Sequence, residues 1–277
     1  MIKLIAFDLD DTLLNSKNEI NDLDKVALIE LVNKGVNIVF CSGRPNSKVI
    51  NKYYNDLGIE NGYYIGFNGE AIYDIKNKKC VYQDYLNSND LAYIVSKTKF
   101  ISNYENVATY IYHESNNTHT SSVYTTLINK YVHIEDENND IKIFLTNDLV
   151  SFNNAHKFMI ASDPNTIKKI YNKLPKELFD KYTICTSMPC FIEFFKKNNN
   201  KYNGLLKVME IYGIKENEVM TFGDSMNDYD LVSKAYIGVA MGNACQEIKE
   251  CSKFVTFDNN SNGITNAIKH FEKEFKK

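Results

Sequence analysis

The sequence of 277 residues contains no tryptophan, only four prolines and a single arginine, Arg44. It also lacks any apolar run near the roughly 18 residues of a membrane-spanning helix, so we expect no membrane partner. Residues 1–7 run directly into an aspartate, whereas a signal peptide would need a longer apolar stretch and a small-residue cleavage site. These absences predict a soluble, cytoplasmic protein.

An excess of basic charge is also missing. Lys and Arg number 32 and Asp and Glu number 35, giving a net charge of −3. Domains that bind nucleic acid usually carry clustered basic charge, so we expect no nucleic-acid partner. Because 31 of the basic residues are lysine, the position that keeps arginine is a candidate for a function that needs a planar guanidinium. A coding bias with one arginine left by chance is the alternative.

No pair of cysteines has the Cys-x-x-Cys spacing, although the chain has six cysteines and five histidines. A chain of this length does not need disulfides to fold, and paired metal-ligand spacing is absent. We therefore expect reduced thiols and no structural zinc site.

Glycine is missing from the middle of the chain. All 12 glycines lie at or before Gly69, or at or after Gly204. Glycine marks tight turns and close approaches of the backbone, so its distribution predicts two differently built regions. We expect a domain formed by residues 1–82 and 197–277, interrupted by an inserted domain of residues 83–196.

The outer segments alternate short apolar runs with helical patterns. Strands are predicted near residues 2–9, 36–41, 219–222 and 237–240, with helices between them. Strands separated by helices favour parallel β-α-β units, so the fold class is α/β. The middle region predicts an α+β module, with helices that begin near Ser88, Ser121 and Asp163.

Two carboxylates, Asp8 and Asp10, follow the first predicted strand. In extended chain their side chains point the same way, and in a parallel sheet this edge faces the ligand crevice. Such a pair repels unless a cation or a shared proton accommodates it. One carboxylate is then a candidate nucleophile and the other a candidate acid and base, with a hard cation such as Mg²⁺ present. The alternative is an acidic turn in which Asp11 and Thr12 cap a helix.

Residues 8–12, Asp-Leu-Asp-Asp-Thr, resemble the D-x-D-x-T motif of the haloacid-dehalogenase superfamily. Ser42, Gly43 and Arg44 resemble its second motif, in which a hydroxyl follows the next strand. Residues 223–228, Gly-Asp-Ser-Met-Asn-Asp, resemble the fourth motif, G-D-x-x-N-D.

The third motif of this superfamily is a lysine before a helix, and Lys201 resembles it. Family members often have glycine next to this lysine, whereas here the glycine is Gly204. Lys196 and Lys197 are rival candidates.

The resemblance implies a set of roles at one site. Asp8 would attack phosphorus to form an aspartyl-phosphate, and Asp10 would act as acid and base. Mg²⁺ would be bound by Asp8, the backbone carbonyl of Asp10, and Asp224, with Asp228 orienting these groups from beside the metal. The candidates for binding phosphate or substrate are Ser42, Gly43, Arg44, Lys201 and Asn227.

The long insertion between the second and third motifs resembles the Cof-type branch of the superfamily. This branch implies a Rossmann-like parallel-sheet core and an inserted α+β cap domain that sets substrate choice. Asn68 and Asn243 lie in segments that also resemble this branch, and we assign them no catalytic role. The cap residues that are candidates to line the substrate surface are His113, His119, His156 and Tyr110.

These implications favour a Mg²⁺-dependent phosphatase of small phosphomonoesters, such as sugar phosphates or phosphorylated cofactors. The partner would be a small phosphorylated metabolite, and the sequence predicts no oligomeric state. A phosphomutase, which uses the same two aspartates, is the first alternative. A non-catalytic binder of phosphorylated ligands is the second, but binding alone needs no nucleophile. Dehalogenation would leave Asp10 without a role.

Overall fold

A computed structural model describes residues 1–46, 48–114, 121–139, 141–186 and 188–276. The chain forms two compact units. One comprises residues 1–44, 48–81 and 200–277, and the other comprises the described parts of 45–47 and 82–199. The assignment of residues 83–196 as a cap stays a prediction.

The helices and strands alternate through most of the chain. In order, the described residues form β1 (Leu4–Phe7), α1 (Asp22–Asn33), β2 (Asn37–Cys41), α2 (Lys48–Asp56), β3 (Tyr63–Gly66), β4 (Ala71–Asp74), β5 (Lys79–Gln83), α3 (Ser88–Lys97), β6 (Ala108–Glu114), β7 (Ser121–Thr125), α4 (Lys130–Asn139), β8 (Lys142–Leu145), β9 (Ala155–Ala161), α5 (Pro164–Lys173), α6 (Lys176–Lys181), β10 (Tyr182–Cys185), β11 (Phe191–Lys196), α7 (Lys201–Tyr212), β12 (Val219–Gly223), α8 (Tyr229–Ser233), β13 (Ile237–Ala240), α9 (Gln246–Cys251), β14 (Phe254–Val255) and α10 (Gly263–His270).

The first unit is built on an eight-stranded sheet in the order β14-β13-β12-β1-β2-β3-β4-β5. The strands from β14 to β3 pair in parallel, and β4 is antiparallel to β3. The central strand β1 is buried along its whole length, which is why it is a continuous apolar run. The predicted α/β class is confirmed, and β1 lies in the middle of the sheet.

The second unit is a six-stranded sheet in the order β10-β11-β9-β6-β7-β8. The pairs from β10 to β7 are antiparallel, and β8 is parallel to β7. Helices α3, α5 and α6 share one apolar core with β6, β9 and β11, in which Ile94, Ile167 and Phe158 are buried. This arrangement matches the predicted α+β module.

The helix predicted to begin near Ser121 is wrong. Residues 121–125 form β7, which pairs with β6, because the β-branched and hydroxyl residues of this segment suit a pleated sheet. The helix begins later, at Lys130, where the side chain of Asn129 accepts hydrogen bonds from the backbone N–H groups of Tyr131 and Val132.

Two expectations about composition can be compared with the structure directly. Among the described residues the six cysteines form no disulfide, and Cys41 and Cys190 are buried. Across the part of the chain that the structure describes, none of the helices combines the length and the apolar character needed to cross a bilayer.

Two glycines allow α7 to lie close to the turn after β3. Gly69 has a φ of +100°, and a Cβ atom there would lie 2.0 Å from the backbone oxygen of Asn200. A Cβ atom on Gly204 would lie 3.0 Å from the Cα atom of Gly69. The glycine that is displaced from the family pattern thus lies on the face of α7 that contacts this turn.

We expect Gly69→Ala to lower the free energy of unfolding by about 3 kcal/mol, because the methyl group must displace backbone and because alanine disfavours a positive φ. Urea denaturation followed by circular dichroism measures this loss. Gly62→Ala is the matched control, since its Cβ atom would meet only ordinary contacts at 3.4 Å and beyond. Equal midpoints for the two variants would contradict the prediction.

Candidate functional site

The candidate residues follow four neighbouring strands of the first unit. Asp8 comes directly after β1, Ser42 after β2, Asn68 shortly after β3 and Asp224 after β12. These strands are adjacent and parallel, so their carboxyl ends meet at one edge of the sheet. Sequence segments that are more than 200 residues apart therefore contribute to one site.

Three carboxylates form a cluster at this edge. Asp8, Asp224 and Asp228 each offer an oxygen atom, and these atoms all lie within 4.8 Å of one another. Asp8 is 5% exposed and Asp228 is fully buried. Because carboxylates at such distances repel in a poorly solvated site, the cluster requires positive charge nearby.

Lys201 supplies one positive charge. It is fully buried as the first residue of α7, and its Nζ atom donates to Asp228 Oδ1 at 2.7 Å and to Asp8 Oδ1. The rivals lie elsewhere: Lys197 donates to the carbonyl of Phe179, and Lys196 pairs with Asp84. Of these three candidate lysines, the structure brings only Lys201 to the carboxylates.

Burial and mutual repulsion raise the pKa values of two of the carboxylates. Burial, and then repulsion by Asp228, raises the pKa of Asp8 well above its usual range, although Lys201 opposes the shift. The same two causes raise the pKa of Asp224 to about 6, and a hydrogen bond from Thr12 opposes them. Burial alone would lower the pKa of Lys201, but Asp228 and Asp8 raise it, so the ammonium stays charged.

The cluster fits a divalent cation in both charge and chemistry. Three carboxylates and one ammonium leave two negative charges when all four groups are ionised. The offered ligand atoms are all carboxylate oxygens, which are the ligands that Mg²⁺ prefers. The cluster has no thiol or imidazole that would favour a softer metal.

Asp228 is held more completely than the other two carboxylates. Its Oδ2 atom accepts hydrogen bonds from the backbone N–H groups of Asp224, at 3.1 Å, and Ser225, at 3.2 Å. Its Oδ1 atom accepts the bond from Lys201. Both oxygens are therefore engaged by protein donors, and Asp228 fixes the loop that carries Asp224.

The Asp10 side chain is not part of the cluster. Its Oδ2 atom accepts a hydrogen bond from Arg44 Nε at 2.9 Å, and its Oδ1 atom contacts Arg44 Nη2. The structure therefore pairs the only arginine with Asp10, whereas the sequence indicated a phosphate contact. The assignment of the Asp10 backbone carbonyl to the metal stays a prediction.

Ser42 and Asn227 lie on either side of Asn68. Ser42 is nearly fully buried, and its carbonyl accepts a hydrogen bond from the Asn68 N–H at 3.0 Å. The Asn227 side chain donates to Asn68 Oδ1 at 3.3 Å. A Cβ atom on Gly43 would lie 3.3 Å from the Asn68 side chain. Asn68 thus connects the residues of the second motif with those of the fourth.

Sequence reasoning missed the contacts of three residues. Asn68 has a φ of +56°, which its Asn-Gly sequence could have indicated. The Thr12 hydroxyl donates to Asp224 Oδ1 at 2.8 Å, and the Asn243 side chain donates to the Asp11 carbonyl at 2.8 Å. Only the family motifs pointed to Thr12 and Asn243, because their partners are far away in the chain.

Most of the candidates for the substrate surface of the second unit have structural contacts. Tyr110 and His156 are fully buried. The His113 ring lies edge-on to Phe152, with the ring centroids 5.2 Å apart. His119 lies outside the described residues.

Comparisons with known proteins agree with this arrangement. The model of the haloacid dehalogenase-like hydrolase family matches residues 5–268. "Putative phosphatase YxeH" of Bacillus subtilis is 30% identical, with 97% of each chain covered. The 5-amino-6-(5-phospho-D-ribitylamino)uracil phosphatase YcsE of the same organism is 29% identical, covering 98% of this chain and 96% of that protein.

A solved structure of a haloacid dehalogenase-like hydrolase from Bacteroides thetaiotaomicron has a TM-score of 0.82. It is 27% identical, and the match covers 98% of this chain and all of that one. Both the family model and the fold therefore match along nearly the whole chain, as the motifs predicted. The chain belongs to the haloacid dehalogenase-like hydrolases, and within them to the Cof type.

Proposed function

We propose that the protein is a Mg²⁺-dependent phosphatase that hydrolyses small phosphomonoesters through an aspartyl-phosphate on Asp8. One observation carries the proposal: three carboxylates and Lys201 form a cluster at the edge of the sheet that has two unbalanced negative charges when all four groups are ionised. A site built only to bind an anionic phosphate would not concentrate negative charge. A divalent cation resolves this conflict.

The residues present can hold Mg²⁺ in the way the family implies. The carboxylates of Asp8 and Asp224 and the backbone carbonyl of Asp10 would be its ligands. Asp228 would orient them, because its oxygens are already engaged by Lys201 and two backbone N–H groups. When bound, Mg²⁺ would screen the negative charge of the phosphate from that of Asp8.

Hydrolysis would proceed in two displacements at phosphorus. In the first, an oxygen of Asp8 forms a bond to phosphorus while the bond between phosphorus and the leaving oxygen breaks. Asp10 gives a proton to the leaving oxygen. In the second, water attacks phosphorus, Asp10 takes a proton from the water, and the bond between phosphorus and Asp8 breaks. Phosphate leaves, and both aspartates return to their starting states.

The positions of three further residues support roles in holding the transferred group. Lys201 already donates to Asp8, so its ammonium lies next to the place where phosphorus would be attacked. Ser42 and Asn227 are linked through Asn68 at the same edge of the sheet. Fixed donors of this kind stabilise the charge of phosphoryl transfer. Gly43 would contribute its backbone N–H group.

The substrate class is drawn from the relatives. YcsE is named for a phosphate ester of a ribitylamino-uracil, which is a small molecule with a phosphorylated sugar-like chain. We infer that a sugar phosphate or a phosphorylated cofactor of similar size is the substrate here. Selection of that substrate by a cap of residues 83–196, and a cytoplasmic location, stay predictions.

Asp8→Asn keeps the shape of the side chain but removes the nucleophile, so we expect phosphate release to fall by about a thousandfold or more. Phosphate release from a panel of sugar phosphates measures this loss. Asp11→Asn is the matched control, because Asp11 is an exposed neighbour with a φ of +58° that asparagine also tolerates. It should stay within about twofold of the wild type.

Acid quenching during turnover should also trap phosphate on Asp8 of the wild-type protein. Substantial turnover by a folded Asp8→Asn variant would overturn the mechanism. Exchange of phosphate between two positions of one sugar, without its release, would indicate a phosphomutase instead.

Asp224→Asn should weaken Mg²⁺ binding by at least about tenfold, because the cation loses an anionic ligand. Isothermal titration calorimetry measures this affinity without turnover. Asp230→Asn is the control that should keep wild-type affinity. It removes a carboxylate on α8 that contacts Asn200 and Lys234. Unchanged affinity in Asp224→Asn would show that the cluster is not the metal site.

The raised pKa values of Asp8 and Asp224 predict how metal-free protein responds to pH. The folded state keeps these protons at pH values where the unfolded chain has lost them, so the free energy of unfolding falls as the pH rises from about 4 to about 6. Mg²⁺ removes the repulsion, so its effect on Tm should be larger at pH 7.5 than at pH 5. Thermal unfolding with Mg²⁺ or with chelator at both pH values measures this difference, and equal effects would contradict the assignment.

A further inference from the structure

The pair formed by Asp10 and Arg44 is not explained by the roles given so far. Arg44 contacts both carboxylate oxygens of Asp10, through Nε and Nη2. The Arg44 side chain is 17% exposed, whereas that of Asp10 is 47% exposed. An exposed carboxylate is solvated by water and needs no partner to stabilise its charge. We therefore consider how Arg44 affects the position of Asp10.

The backbone of Arg44 is held firmly. Its N–H donates to Ser42 Oγ at 3.1 Å, and its carbonyl accepts from the Tyr64 hydroxyl at 2.6 Å and from the Phe67 N–H at 3.3 Å. Tyr64 and Phe67 are fully buried. The guanidinium therefore extends from a fixed base, and it can restrict the carboxylate that it binds.

Asp10 is an acidic group of this loop that could join the cluster. It lies two residues after Asp8, and its charge is near enough to contribute to the raised pKa of Asp8. The cluster already has two unbalanced negative charges when all four of its groups are ionised. If the Asp10 carboxylate joined the cluster, it would become another anionic ligand of the cation.

We propose that Arg44 is a positioning residue that holds the half-exposed Asp10 carboxylate outside the cation cluster, so that it does not become a ligand of the cation. The proposal rests on the proposed function, because only there does Asp10 need to remain free of the metal. It replaces the phosphate contact that the sequence suggested for Arg44. It also explains why one arginine remains among 31 lysines.

Only arginine has the geometry for this task. Its planar guanidinium binds two carboxylate oxygens at once and so fixes the orientation of the carboxylate. A lysine at the same position would keep the charge but would hold Asp10 through a single rotating ammonium. Arg44→Lys therefore separates positioning from the simple effect of positive charge.

The test is a double-mutant cycle on Mg²⁺ affinity, measured by calorimetry on the full chain without substrate. The four proteins are the wild type, Arg44→Lys, Asp10→Asn and the double variant. We expect Arg44→Lys to bind Mg²⁺ about tenfold more tightly when Asp10 is present, because the released carboxylate becomes a ligand. In the Asp10→Asn background the same substitution should change the affinity by less than about twofold.

Turnover gives a second, independent readout. If Arg44 acts through Asp10, Arg44→Lys should lower kcat more for an alkyl phosphate than for p-nitrophenyl phosphate, because the nitrophenolate leaves without a proton. KM should change little. A merely structural role for Arg44 would lower kcat equally for both substrates.

Equal Mg²⁺ affinity of the wild type and Arg44→Lys would overturn the proposal, and so would a tenfold change that persists in the Asp10→Asn background. Arg44→Met serves the same cycle if the lysine variant does not fold. These measurements do not depend on turnover, so their failure is distinguishable from failure of the proposed function. That function is overturned separately, by activity of Asp8→Asn.

Discussion

The buried ammonium of Lys201 between Asp8 and Asp228 is the interaction on which the rest of the site depends. Burial raises the pKa of Asp8 and Lys201 opposes that rise, whereas burial alone would lower the pKa of Lys201 and the two carboxylates raise it. Since the three residues come from the end of β1, the start of α7 and the loop after β12, their contacts also connect distant parts of the chain. The same contacts therefore serve both the fold and the proposed chemistry of the site.

The same interaction leaves the site short of positive charge. Lys201 balances one carboxylate of three, and the hydrogen bond from Thr12 only partly relieves Asp224. A protein selected for stability alone would replace such a cluster with neutral or apolar groups. We attribute its presence to the proposed binding of a cation and a phosphate, for which stability is given up locally.

The site also separates two kinds of carboxylate. Asp8 and Asp224 lie in the cluster, whereas Asp10 lies outside it against Arg44. Identical side chains thus receive different environments within a few residues of chain. The difference arises from partners in other segments, because Asp8 and Asp10 are only two positions apart in the same short segment.

Much of this could be predicted from the sequence, because the predictions concern features that are local in the chain. The apolar run before Asp8 determines a buried strand, the alternation of strands and helices determines an α/β fold, and the motif around Asp224 indicates the family. Where local preference was ambiguous, as near Ser121, the prediction was wrong, since strand pairing with β6 decides the outcome there.

Tertiary structure decided which side chains meet. Neither spacing nor composition could distinguish Lys201 from its neighbouring lysines, show that Arg44 binds Asp10, or place Asn68 between Ser42 and Asn227. These contacts depend on the distances between residues far apart in the chain. Those distances exist only after β12, β1, β2 and β3 have aligned their carboxyl ends at one edge of the sheet.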